Sequence, residues 1–96
     1  MEALFIWDDA KAAANFRKHG VSFDEAQEVF ADPFHLVLDN YLIDGEQRMM
    51  AVGMAGKVML IALIFVDRSV PPIDIYHFIS ARKATAYEQT LYRTQG

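Results

Sequence analysis

The chain has 96 residues, enough for one domain over residues 1–96 with a modest core. A hydrophobic fraction of 53% against 23% charged residues excludes disorder, and the lack of cysteine excludes a disulfide framework, a thiolate nucleophile and Cys-ligated zinc. The longest apolar run, Val58 to Val66, is far short of the roughly 20 residues that span a bilayer, and Met1-Glu2-Ala3-Leu4-Phe5 lacks the basic start of a signal peptide. A soluble, cytoplasmic protein without membrane contact is therefore expected. The net charge of −4 is unevenly spread: residues 1–47 hold three Lys/Arg against ten Asp/Glu, and residues 48–96 hold six against three. An anionic ligand should meet the C-terminal half, and the acidic half suits a basic protein partner.

Ala3 to Trp7 is short, apolar and rich in β-formers, which predicts a first strand. Asp8 is then an N-cap for a helix over Asp9 to Lys18, with cations at its end before Gly20. Ser22-Phe23-Asp24-Glu25 has the pattern of a capping box and opens a second helix that Asp32-Pro33 stops. From Phe34 the apolar period changes to two, predicting a strand with Phe34, Leu36 and Leu38 on one face and a hairpin turn at Asp44-Gly45. Gln47 to Met54 is the next strand, Ala55-Gly56-Lys57 a tight turn, and Val58 to Val66 the most buried strand. Asp67 to Pro72 is a loop, and Ile73 to Ile79 a last strand, with either Tyr76 or His77 on its core side. Thr85-Ala86-Tyr87-Glu88 is a second capping box, starting a helix that runs to about Arg93. The order predicts an α+β fold: an antiparallel meander sheet with two N-terminal helices and one C-terminal helix.

The junction Ile79-Ser80-Ala81-Arg82-Lys83-Ala84-Thr85 joins strand to helix, and free N–H groups there beside two cations would suit an anion. Arg48, Lys57, Arg68, Arg82 and Lys83 are the cations that a meander can gather around a phosphodiester. His77, Glu46 and Glu88 are candidate proton acceptors, and Tyr92 or a histidine a candidate donor. A solvated surface explains the same residues. Tyr76, Tyr87 and Tyr92 lie nearer the basic segment than the other aromatics and are the better candidates for stacking on bases. His19, His35 and His77 sit on different elements without metal-ligand spacing, and no Gly-rich phosphate loop is present, so neither metal nor cofactor is expected.

Nearly the whole chain carries a pattern of longer range. Phe5-x-Trp7-Asp8-x-x-Lys11-x-x-x-Asn15-x-x-Lys18-His19-Gly20-Val21-x-Phe23-x-x-Ala26, Phe30-x-Asp32-Pro33, Gly45-Glu46-x-Arg48 with Gly53, and Ile79-to-Thr85 with Glu88 and Tyr92 resemble the BrnT toxin family. The resemblance implies a RelE-like fold and a type II toxin that cleaves RNA without metal and so inhibits translation. It also implies a BrnA-like ribbon-helix-helix antitoxin, through which alone the toxin would reach operator DNA. By position it implies Arg48, Arg82 and Lys83, with Glu46 and Glu88, as active-site residues, and Lys57, Arg68 and Tyr92 are then expected to contact RNA. The chain departs from the family at His77, where an arginine is common, and in Ala86 to Leu91, which lacks the usual arginine-rich run. The alternative expectation is a catalytically silent relative that serves only antitoxin binding and operon repression.

Overall fold

The computed structural model describes residues 3–56 and 59–95. In chain order it contains β1 (Ala3–Ile6), α1 (Asp9–His19), α2 (Phe23–Ala26) running into a 3-10 turn (Gln27–Ala31), β2 (Leu36–Ile43), β3 (Glu46–Ala55), β4 (Met59–Asp67), β5 (Asp74–Lys83) and α3 (Ala86–Thr94). The fold is α+β, but the sheet is mixed and not purely antiparallel. Its order is β1-β5-β4-β3-β2, and β1 runs parallel to β5 while the other pairs are antiparallel. Short turns oblige β2 to β5 to meander; β1 reaches β5 only across both N-terminal helices, and local alternation says nothing about so distant a partner.

The helix ends follow their sequence signals. Asp8 accepts the Lys11 N–H at 2.9 Å, and the N–H of Gly20 closes α1 on the Phe16 carbonyl at 2.8 Å. Ser22 caps α2 through the Glu25 N–H at 3.0 Å, but the return bond from the Glu25 side chain that the expected capping box requires is not formed. The long second helix expected up to Asp32 is instead one α turn followed by the 3-10 turn, which brings Val29 and Phe30 down onto the sheet. That approach needs Gly53: a Cβ there would lie 2.9 Å from His35 Cβ and 3.0 Å from Val29 Cγ1. β2 starts at Leu36, not Phe34, because the Asp32 carboxylate takes the Phe34 N–H in a turn and leaves the Phe34 ring exposed. Asp44 and Gly45 both have positive φ, which matches the twist of the β2–β3 hairpin. Lys57 and the expected first residue of the next strand, Val58, lie outside the described residues.

α1, α2 and the 3-10 turn cover one face of the sheet, here called the inner face. Val21, Phe23, Ala26, Val29, Ile61, Leu63 and Phe78 are buried there, with Phe5, Trp7, Phe30 and Tyr76 packed against them. Phe30 stacks on Tyr76 at 5.1 Å and on Phe5 at 5.3 Å. Tyr76 is therefore the core-side residue of the last strand, and its neighbour His77 takes the outer face. Residues Ile61 to Val66 of β4 are all buried, as a central strand covered on both faces requires. On the outer face α3 covers only part of the sheet, over Leu36, Met50, Val52, Leu60 and Ala62, and leaves the rest open.

Candidate active site

The last strand does not stop at Ile79 but continues to Lys83, and this changes the junction. Arg82 pairs with Ala62 and Lys83 with Ile61. The Ala84 N–H goes to the Leu60 carbonyl at 2.9 Å and the Thr85 N–H to Glu88 Oε1 at 2.8 Å. On the side that β1 leaves bare, the buried Asn15 amide pairs with Ala81 as a peptide group would, accepting its N–H at 3.1 Å and donating to its carbonyl at 2.9 Å. The N–H groups expected to be free for an anion at Ala81, Ala84 and Thr85 are thus occupied.

One irregularity in β5 assembles the outer face. Phe78 lies opposite Phe65 and Ser80 opposite Ile64, so Ile79 is an extra residue, a β-bulge. Strict alternation would put His77 and Arg82 on opposite faces. With the bulge, His77 lies opposite Val66, Ser80 opposite Ile64 and Arg82 opposite Ala62, all on one side. Met50 opposes Ile64, which places Glu46 and Arg48 of β3 on that side too. Val66 and Ala62 are four residues apart, so His77 and Arg82 are separated by about 13 Å along the strand.

Two charged groups result. In the first, Arg68 from the loop after β4 donates to Glu46 Oε2 at 2.8 Å through its terminal nitrogen, and to His77 Nδ1 at 3.4 Å through Nε. Arg48 approaches the other Glu46 oxygen at 3.8 Å, and its Nε is buried without a hydrogen-bond partner. Burial and the nearby Arg68 push the His77 imidazole below its usual range, with Lys11 and Arg48 adding to this against the pull of Glu46. In the second group, Arg82 holds Glu88 with two bonds of 2.7 and 3.0 Å. Those bonds, outweighing burial, keep the Glu88 carboxyl below the usual range and the Arg82 guanidinium above its own. Glu88 also completes the capping box of α3, taking the Thr85 N–H while Thr85 Oγ1 accepts from the Glu88 N–H at 3.2 Å.

Of the candidates named from sequence, Glu46, Arg48, Arg68 and His77 come together, while Arg82 and Glu88 form the second group further along the face. Lys83 is exposed at the end of β5, in a shallow cleft with Tyr92 and Arg93. Lys57 lies outside the described residues. The Tyr92 hydroxyl donates to Asp32 Oδ2 at 2.7 Å, which pushes its pKa up to about 12. Asp32 is raised by burial, but bonds from the Met54 N–H, the Tyr92 hydroxyl and the Phe34 N–H outweigh this and hold it below the usual range. Tyr76, a stacking candidate from sequence, is in the aromatic core. The structural roles of Asn15 and Asp32 were absent from the site expected from sequence; the signal available for them was their place in the long-range pattern. Among the described residues no three His, Asp or Glu side chains converge as a metal-binding group would.

Fold and face together describe a small α+β protein with an open, arginine-bearing sheet surface. The chain belongs to the BrnT family: the sequence model of the "Ribonuclease toxin, BrnT, of type II toxin-antitoxin system" matches residues 7–88. The crystal structure of the Brucella abortus ribonuclease toxin, BrnT, is similar with a TM-score of 0.61 and 28% identity, covering 88% of this chain and 99% of that one. No curated protein matches the sequence. Membership of a toxin–antitoxin family implies an antitoxin partner. No helix among the described residues is long and apolar enough to cross a membrane.

Proposed function

We propose that the protein is a RelE-like, metal-independent endoribonuclease that inhibits translation, is neutralised by a BrnA-like ribbon-helix-helix antitoxin, and reaches operator DNA only through that antitoxin. The observation that supports this most is the first charged group. Arg48 and Arg68 flank a single carboxylate beside a half-buried imidazole, and Arg48 keeps a buried N–H unmatched, a cost that a phosphate oxygen drawing the guanidinium outward would relieve. In cleavage the 2′ oxygen attacks the adjacent phosphorus, and the P–O5′ bond breaks as the O2′–P bond forms. The 2′-hydroxyl proton passes to Glu46 or His77, and the 5′ oxygen leaves with a proton from solvent. Arg48 and Arg68 offset the charge that builds on the phosphoryl oxygens. Arg82 and Lys83, about 13 Å further on, hold the next part of the strand, with Glu88 orienting Arg82; Lys57 and the ring of Tyr92, whose hydroxyl is held by Asp32, complete the RNA contacts.

The test is incubation of RNA with antitoxin-free protein in EDTA. Cleavage that falls in Arg48→Ala and Arg68→Ala, both folded by circular dichroism, is the expected result. An intact substrate would leave the silent, antitoxin-binding relative as the reading, and growth arrest on expression without antitoxin would count against that relative.

A further inference from the structure

We propose that Arg68 fixes His77 as the neutral imidazole protonated on Nε2, so that His77 serves the site as a hydrogen-bond donor to a phosphate oxygen and not as the proton acceptor. The role rests on the ribonuclease reading above; the tautomer does not. A guanidinium has donors only, so the Arg68 Nε–H aimed at Nδ1 from 3.4 Å requires a lone pair there. A proton on Nδ1 would set two N–H groups against each other. The one proton of the neutral ring is then on Nε2. Glu46 keeps Arg68 in this pose by holding its terminal nitrogen at 2.8 Å, which makes Arg68 and Glu46 positioning residues for the ring.

The surroundings disfavour adding a second proton. The charged groups whose fields reach the ring are Arg68 from the loop after β4, Arg48 and Glu46 from β3, and Lys11 from α1, and the one carboxylate is already shared by two arginines. The parallel neighbour β1 places Ile6, without charge, beside His77. Asp67 and Asp74 bear on Tyr76, on the other side of the strand. The lone pair of His77 is therefore engaged, and its Nε2–H has no partner among the described residues. As the O2′–P bond forms and negative charge gathers on the phosphoryl oxygens, that N–H bonds more strongly. Glu88 has both oxygens bonded, whereas Glu46 holds Arg68 through Oε2 and meets Arg48 with Oε1 only at 3.8 Å, so the 2′-hydroxyl proton goes to Glu46 Oε1.

Ring nitrogen NMR of histidine-labelled protein tests the tautomer, with His77 assigned among the three histidines by its loss in His77→Gln. At neutral pH, Nε2 should read as the protonated, pyrrole-type nitrogen and Nδ1 as the pyridine-type one. In Arg68→Ala both should move toward averaged values. A proton on Nδ1, a doubly protonated ring, or spectra that Arg68→Ala does not alter would overturn the tautomer. Cleavage tests the role, because arginine can donate but not accept. His77→Arg should stay within about 10-fold of the unsubstituted protein while His77→Ala falls about 100-fold. An arginine variant as inactive as the alanine variant overturns the donor role. A protein that cleaves no RNA overturns the ribonuclease reading and the role with it, while the ring spectrum still decides the tautomer.

Discussion

Two arginine–glutamate pairs share the outer face, and they differ in how fully the carboxylate is used. Glu88 is 9% exposed and accepts three hydrogen bonds, two from Arg82 and one from the Thr85 N–H. Glu46 is 32% exposed, takes one close bond from Arg68, and meets Arg48 only at 3.8 Å. The Arg82 pair ties the end of β5 to the first turn of α3 and so holds the helix on the sheet. The Arg68 pair joins a loop to the start of β3 and sits beside His77. An exposed pair is worth only about 0–1 kcal/mol, and Arg48, which meets Glu46 only at 3.8 Å, can turn to a phosphate at little cost while Arg68 keeps its bond; a saturated, buried carboxylate has no such freedom. The same two residue types thus serve the fold in one place and fit chemistry in the other.

The largest effect that would sharpen this contrast is on rate. Arg48→Ala should lower RNA cleavage by about 100-fold or more, with its melting temperature nearly unchanged. Equal loss of rate and of stability would place Arg48 with the fold instead. Next in size, Glu88→Ala should destabilise by about 3 kcal/mol, because it removes a helix cap and leaves Arg82 without its partner. Read by thermal melting, that is a drop of roughly 10 °C or more for a chain of this size. A loss below about 1 kcal/mol would mean that the pair behaves like any surface ion pair. A smaller effect concerns acid. The folded pKa of Glu88 is depressed, so its contribution is present above the unfolded carboxyl range, near about pH 4.3, and is lost as pH falls through the folded value. Glu88→Gln should therefore flatten the acid limb of a stability-against-pH curve, and an unchanged limb would contradict the assignment.

Much of the fold was legible because its signals are local. Asp8, Ser22 and Thr85 start helices where their side chains reach an N–H three residues on, and Asp44-Gly45 turns the hairpin as its dihedrals demand. What escaped were long-range features. The parallel partner of β1 is about 70 residues away in sequence. The bulge at Ile79 has no composition of its own, so alternation alone separates His77 from Arg82, and only the register with β4 reunites them. The cations of the site could be named from residue type, but not their partners: nothing near Glu46 in sequence points to Arg68, and nothing near Arg82 says that its guanidinium is already engaged. Asn15 reads as one polar residue in an alanine-rich helix until the bare edge of β5 shows what it pairs with.

The contrast between holding and handling also decides the role of Tyr92, a residue the sequence places with RNA. Its hydroxyl is already committed to Asp32, and that bond links the C-terminal helix to the turn before β2. Tyr92→Phe keeps the ring and removes one bond to a carboxylate that retains the Met54 and Phe34 N–H groups, so the expected cost is about 1 kcal/mol. The sign with pH follows from the raised pKa. A folded value pushed up to about 12 means that the bond's contribution is present below the unfolded tyrosine value and is lost as pH rises through the folded one. The difference in denaturant midpoint between Tyr92→Phe and the unsubstituted protein should therefore be full at neutral pH and shrink above about pH 10. If the hydroxyl works on the fold alone, cleavage by Tyr92→Phe stays within about 3-fold, less than the loss of one net hydrogen bond of about 1 kcal/mol would produce in a transition state. A variant that keeps its midpoint but loses cleavage 10-fold or more would instead return Tyr92 to the RNA surface and show that the bond to Asp32 opens when substrate arrives.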